Sequence, residues 1–254
     1  MTWWSLLGSG EFQPWSEPVD RRLVAEANGD GRVLILPTAS APEGKDVFER
    51  WGSLGLAHFS RLDIPAEVLD LQTREDTDDP RLLAKLDGAS AVYFSGGNPA
   101  FLSAVLVESD FLDAMLKQLD RGMAYAGCSA GVACLNEITF DSDATQMDEV
   151  YKPGLGLVPR TVFAPHWDIV DTWMPGASEF IVGSVPAGST FIGMDEDTAM
   201  IGSGSSWEVV GRSGIHILKE GTWATYRDGD RFDFALMGQL LEGGPNVDPD
   251  ATVV

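Results

Sequence analysis

The chain is poor in three things that usually carry function. It has 2 cysteines, 3 histidines and 17 lysines plus arginines among 254 residues. The cysteines, Cys128 and Cys134, are six positions apart, too few and too close for a disulfide framework. They contain no Cys-x-x-Cys metal pattern, and no His-Glu-x-x-His occurs either. They read as reduced, buried side chains, with Cys128 as small core filler. The basic residues are outnumbered by 39 acidic ones, for a net charge of −22. That balance argues against nucleic acid and against anionic membrane surfaces as partners. No apolar run approaches the ~20 residues a membrane-spanning helix needs. Residues Met1 to Gly8 lack a basic segment and a long apolar core, so they read as a first strand rather than a signal peptide. The expected compartment is therefore the cytoplasm. Hydrophobic residues reach 44%, enough for a sizeable core.

Against this sparse background, Gly127-Cys128-Ser129-Ala130-Gly131 stands out. It has the form Gly-x-Ser-x-Gly, preceded by the apolar run Gly122 to Ala126 and followed by Val132 to Leu135. A strand, a sharp turn flanked by small residues and a helix would lift Ser129 above the edge of a sheet. In that geometry the Ala130 N–H faces the same space as the Ser129 hydroxyl and is one oxyanion donor.

Short apolar segments alternate with helical ones along the first two-thirds of the chain. Strands are expected at 3–7, 33–36, 67–71 and 91–95, and helices at 43–56, 81–86, 100–107 and 111–120. This pattern predicts an α/β fold, a mostly parallel sheet with helices on both faces. Ligands of such a sheet bind beyond the carboxyl ends of its strands. Three glycine-rich turns end there: Gly8 to Glu11, Gly96 to Asn98, and the elbow. Farther on, 207–210 with 215–218, and 223–226 with 231–234 across Asp228-Gly229, read as antiparallel hairpins appended to the core. The chain is expected to be one domain, with a core over about 1–205, hairpins over about 206–242 and a polar tail over 243–254.

A serine nucleophile needs a base. His58 sits in a helix end or loop and His216 within an antiparallel strand, both structural settings. His166 follows the apolar run Thr161 to Pro165, where a strand gives way to a loop, and is the favoured base. An orienting carboxylate is required as well. Glu196 lies in an acidic turn after the apolar strand 191–194, and Asp195, Asp197, Asp141, Asp143 and Asp168 compete with it. If the order were serine, acid, histidine, as in carboxylesterases, His216 would be the base.

The order and spacing of Gly96-Gly97-Asn98, the Ser129 elbow, Pro165-His166-Trp167 and Gly193-Met194-Asp195-Glu196 resemble the dipeptidase E and cyanophycinase family of serine peptidases. Leu34 to Ser40 and the first glycine turn with Glu11 are also similar. The resemblance runs from the N-terminus to about residue 205 and implies a class I glutamine amidotransferase-like fold. It implies Ser129 as nucleophile, His166 as general base and then acid, and Glu196 as the residue orienting His166. It puts the second oxyanion donor at Gly97, beside Ala130, and Asn98, Glu11 and Asp168 at the substrate. The implied substrate is a small peptide of aspartyl or isoaspartyl type, with no metal or other cofactor. A homodimer is compatible with the chain. Many cyanophycinase-like sequences carry an arginine-rich helix after the histidine. Here Asp168 to Pro175 is acidic and aromatic, which would suit a basic group on the substrate.

Overall fold

The computed structural model describes residues 1–145 and 149–234. The tail expected over 243–254 lies outside the described residues. The chain begins with β1 (Trp4–Leu7), α1 (Glu17–Ala25), β2 (Val33–Leu36), α2 (Lys45–Arg61), β3 (Ala66–Val68) and α3 (Pro80–Lys85). Next come β4 (Ala91–Phe94), α4 (Pro99–Leu106), α5 (Asp110–Asp120), β5 (Ala124–Cys128) and the single-turn α6 (Ala130–Ala133). A small hairpin of β6 (Ile138–Phe140) and β7 (Tyr151–Pro153) precedes β8 (Thr161–Pro165), α7 (Val170–Trp173) and α8 (Ala177–Gly183). The last described strands are β9 (Thr190–Met194), β10 (Thr198–Ser203), β11 (Ser206–Gly211), β12 (Gly214–Lys219), β13 (Thr222–Arg227) and β14 (Arg231–Asp233). Among the described residues no helix is long and apolar enough to cross a membrane.

The main sheet has eight strands in the order β14-β11-β10-β1-β5-β4-β2-β3. The five from β1 to β3 are parallel, and β10, β11 and β14 extend the β1 edge antiparallel. Successive side chains on a strand point to opposite faces, and here both faces are buried. Leu34, Leu36, Val92, Phe94 and Tyr125 join one core, packed with Leu102 and Leu106 of α4 and Phe111 and Met115 of α5. Val33, Ile35, Ala91, Tyr93 and Ala126 join the other, under Val19 and Leu23 of α1 and Phe59 of α2. That double burial explains the uninterrupted apolar sequence of β2 and β4. α4 and α5 begin where the sequence offers caps: the Asn98 Oδ1 accepts the Phe101 N–H before α4, and the Ser109 Oγ accepts the Leu112 N–H before α5. Under the sheet, the His58 Nε2 of α2 lies 2.8 Å from the Asp20 Oδ2 of α1, which also accepts the Ser16 hydroxyl. Burial pushes the Asp20 carboxyl up, against the opposing pull of His58.

A second sheet, β13-β12-β9-β8, lies beside the first. The C-terminal strands are antiparallel as expected, but they pair differently. β11 pairs with β10 and β14, and β12 with β9 and β13, so both expected hairpins are divided between the two sheets. The actual tight turns are Gly204-Ser205 and Glu220-Gly221. At Glu220-Gly221 both residues have positive φ, 51° and 75°, the twist that a two-residue hairpin favours. The Asp228-Gly229 turn is instead braced on β11, where the Asp228 Oδ1 accepts the Gly211 N–H. Other differences are smaller. α1 has no counterpart among the expected elements, the strand expected at 67–71 is only Ala66–Val68, and α2 extends to Arg61.

The elbow is packed too closely for side chains at its two glycines. A Cβ on Gly127 would lie 2.2 Å from the Gly131 carbonyl oxygen, and one on Gly131 would lie 2.5 Å from that of Phe94. Gly131→Ala is expected to destabilise the protein by about 1–3 kcal/mol, the usual cost of overpacking. Thermal melts should record this as a loss of roughly 2–4 °C for each kcal/mol. Gly183→Ala, whose Cβ would meet nothing within 4 Å, is the control expected to show no loss.

Candidate active site

Ser129 caps β5 with φ 50° and ψ −104°, a conformation that L residues rarely adopt. The turn throws its side chain clear of the strand, while its carbonyl accepts the Val132 and Ala133 N–H groups at the start of α6. His166 follows β8 directly, in the left-handed conformation (φ 55°, ψ 32°). Glu196 stands in the three-residue turn between β9 and β10. β8 and β9 run parallel with Pro165 opposite Met194, so His166 and the 195–197 turn leave the second sheet side by side.

These three side chains meet. The His166 Nε2 is 2.9 Å from the Ser129 Oγ, and its Nδ1 is 2.8 Å from the Glu196 Oε1. With Nδ1–H donated to the carboxylate, Nε2 carries the lone pair and can accept the serine proton. The Glu196 N–H is held by the Asp168 Oδ1 at 2.9 Å. Asp168 therefore supports the turn that carries Glu196.

Of the competing carboxylates, Asp195 points the other way. Its Oδ2 accepts the Ser213 hydroxyl at 2.6 Å and the Gly214 N–H at 3.0 Å, and lies 3.0 Å from the His216 Nε2. His216 thus contacts Asp195, and its Nδ1 contacts Thr225. Asp197 pairs with Arg212 at 3.1 Å. Asp141 and Asp143 accept the two Asn98 Nδ2 hydrogens at 2.7 and 2.8 Å. Asn98 is consequently occupied twice, capping α4 with its oxygen and holding the segment after β6 with its nitrogen.

The Gly97 turn lies against the elbow: a Cβ on Gly96 would be 3.5 Å from the Ser129 Cβ. Gly97 itself has φ 141°, and a Cβ there would strike the Ala39 carbonyl at 2.3 Å, so no other residue fits. Among the described residues, the Gly97 and Ala130 N–H groups have no acceptor. Glu11 is buried behind this turn. Its Oε1 accepts the Gly96 N–H and its Oε2 the Cys128 thiol. Burial and the Glu11 charge push the Cys128 thiol well above its usual range, so it remains protonated. Both cysteines are free. No group of three or more His, Cys, Asp and Glu suited to a metal ion is found among the described residues.

Sequence reasoning did not single out Trp173. Its ring centroid is 5.0 Å from that of His166, and the residue is 63% exposed. The signal was the aromatic character of 168–175, read there only for its acidity. The bracing of Asp195 by His216 was also missed, because strand pairing decides it.

The sequence profile of peptidase family S51 matches residues 5–210. The chain is 28% identical over 160 residues to a cyanophycinase of Trichormus variabilis, covering 60% of this chain and 52% of that protein. It is 28% identical over 159 residues to a cyanophycinase of Synechococcus elongatus, covering 60% and 48%. It thus spans about half the length of the curated relatives it matches. The crystal structure of a peptidase from an acI-B1 Actinobacterium has a TM-score of 0.84 at 28% identity, covering 92% of this chain and 97% of that one. A protein described as a peptidase E from Listeria monocytogenes EGD-e shares the fold, with a TM-score of 0.58 at 19% identity over 89% and 98%.

Burial raises the Asp195 carboxyl, but the hydrogen bonds of His216, Ser213 and Gly214 outweigh it and hold the group below the ordinary aspartate range. A lowered folded pKa stabilises the protein above the unfolded value of about 3.9. That stability disappears as pH falls through the folded value. Asp195→Asn is therefore expected to lower Tm more at neutral pH than at about pH 3, where the carboxyl of the unfolded chain is already largely protonated and part of that stability is gone. Equal losses at both pH values would show that the charge contributes nothing.

Proposed function

We propose that this chain, which belongs to peptidase family S51, is a serine peptidase acting through Ser129, His166 and Glu196. The observation that carries the reading is the unbroken hydrogen-bonded line from the Ser129 Oγ through both ring nitrogens of His166 to the Glu196 carboxylate. The family membership and the 0.84 TM-score to a peptidase support it.

The proposed reaction is acyl transfer through an ester on Ser129. The Ser129 Oγ attacks the amide carbonyl as its proton passes to the His166 Nε2. Glu196 fixes the ring orientation and stabilises the imidazolium. The tetrahedral oxyanion is held by the N–H groups of Gly97 and Ala130, each worth about 10²–10³ in rate. His166 then protonates the leaving amine, and a water, activated by the same ring, releases the acid from Ser129. Trp173, exposed beside the proton-donating ring, borders the leaving-group side.

The proposed substrate class is a small peptide with an aspartyl or isoaspartyl bond, supported by likeness to the cyanophycinases. The acidic segment 168–175 suits a basic group on the substrate, with Asp168 also holding the Glu196 N–H and Asp171 holding Ser178. No nucleic acid or membrane partner is part of this reading, and a homodimer is compatible with it.

The test is hydrolysis of Asp-x dipeptides, β-Asp-Arg and neutral peptides. Ser129→Ala and His166→Ala should each lower kcat by about 10⁴-fold or more, the scale for members of such a triad. His216→Ala, which touches Asp195 rather than Ser129, should retain most of kcat. Activity that survives His166→Ala but not His216→Ala would reverse the assignment of the base. A preference for acidic leaving groups would contradict the proposed specificity.

A further inference from the structure

Glu11 is an ionisable group buried to 7% exposure, and among the described residues it makes no ion pair. Burying a carboxylate without a cation is costly unless its oxygens are well bonded. The Glu11 oxygens are bonded to two different segments of the chain, one through backbone and one through a side chain. Oε1 accepts the Gly96 N–H at 2.8 Å, and Oε2 accepts the Cys128 thiol at 2.9 Å. Gly96 immediately precedes Gly97, and Cys128 immediately precedes Ser129. The carboxylate thus bridges the two segments that carry the nucleophile and the proposed oxyanion donors.

The bridge sits where the sheet stops holding those segments together. The register of β4 with β5 runs from Ala91 opposite Ala124 to Phe94 opposite Gly127 and ends there. Beyond it, the Ser129 N–H turns to the Leu7 carbonyl of β1, and the Asn98 N–H turns to the Ala39 carbonyl on the far side. Across the gap between the Gly96-Gly97 turn and the elbow, Glu11 supplies the polar link. The protonated Cys128 thiol is its donor on the elbow side.

We infer that Glu11 is a positioning residue: acting through Gly96 and Cys128, it sets the separation of the Gly97 and Ala130 N–H groups, without touching the substrate. This inference rests on the reading of Ser129 as nucleophile with those two donors. It also assigns a use to Cys128, whose hydrogen bond requires only a small side chain with a donor.

A fluorophosphonate probe tests the idea without knowledge of the substrate, because its phosphoryl oxygen needs the same two donors. Glu11→Ala is expected to lower the limiting rate of Ser129 phosphonylation about 100-fold, the order seen when an oxyanion donor is misplaced. The probe concentration for half-maximal rate should be unchanged. Glu11→Gln keeps an acceptor for the Gly96 N–H and should stay within about tenfold of wild type. Cys128→Ala should slow the reaction by a smaller factor, and Cys128→Ser, which restores a donor, should recover it. That pair decides the matter if Glu11→Ala does not fold. A purely structural role would lower Tm and leave the limiting rate per folded molecule at the wild-type value, which would overturn the inference. So would wild-type rates in both Cys128 variants. A wild-type protein that is never phosphonylated would instead overturn the serine reading and this inference with it.

Discussion

The backbone of Ser129, held at φ 50° and ψ −104°, is the constraint on which the rest of the site depends. A residue is kept in such a conformation only when its surroundings overdetermine it. Here Gly127 and Gly131 pass so closely that neither could carry a Cβ without moving the other or Phe94. The result is a hydroxyl lifted off the end of β5, and an Ala130 N–H at the first turn of α6 that has no acceptor among the described residues. The strand order matters as much as the turn. β5 lies between β1 and β4, so the loops after those two strands flank the serine. One brings Glu11 and the other brings Gly96 and Gly97.

The other half of the site comes from the second sheet. The turn from Asp195 to Asp197 joins β9 of that sheet to β10 of the main one, and its adjacent carboxylates have separate tasks. Asp195 is buried and bonded to the start of β12, through Ser213, Gly214 and His216. Glu196 faces the opposite way, with its N–H held by Asp168 and its carboxylate on His166. Asp195 thereby ties the end of β9 to the start of β12, one residue from the proposed catalytic contact.

Much of this was legible in the sequence because it rests on local signals. Val33 to Leu36 and Ala91 to Phe94 are apolar at every position, as a doubly covered parallel strand requires. The helices expected at 100–107 and 111–120 are found as Pro99–Leu106 and Asp110–Asp120. Gly127 to Gly131 is a local motif whose steric logic needs no tertiary information. What the sequence concealed is pairing between distant strands. Asp228-Gly229 has the letters of a hairpin turn but links strands of different sheets, whereas Glu220-Gly221 closes a real one. The choice of Glu196 over Asp195 follows from the opposite directions in which the two side chains leave the turn, which composition does not encode. Glu11 was identifiable as part of a glycine-rich strand end. Its burial between Gly96 and Cys128 depends on the order in which β1, β5 and β4 are laid side by side.

The most direct test of the central claim, that Ser129 is a nucleophile activated by His166, is a peptide map of the protein after reaction with a fluorophosphonate. The account predicts a single adduct, on the peptide containing Ser129, that forms in the wild type and is nearly abolished in His166→Ala. An adduct on any other serine, or one that forms on Ser129 equally fast without His166, would contradict it.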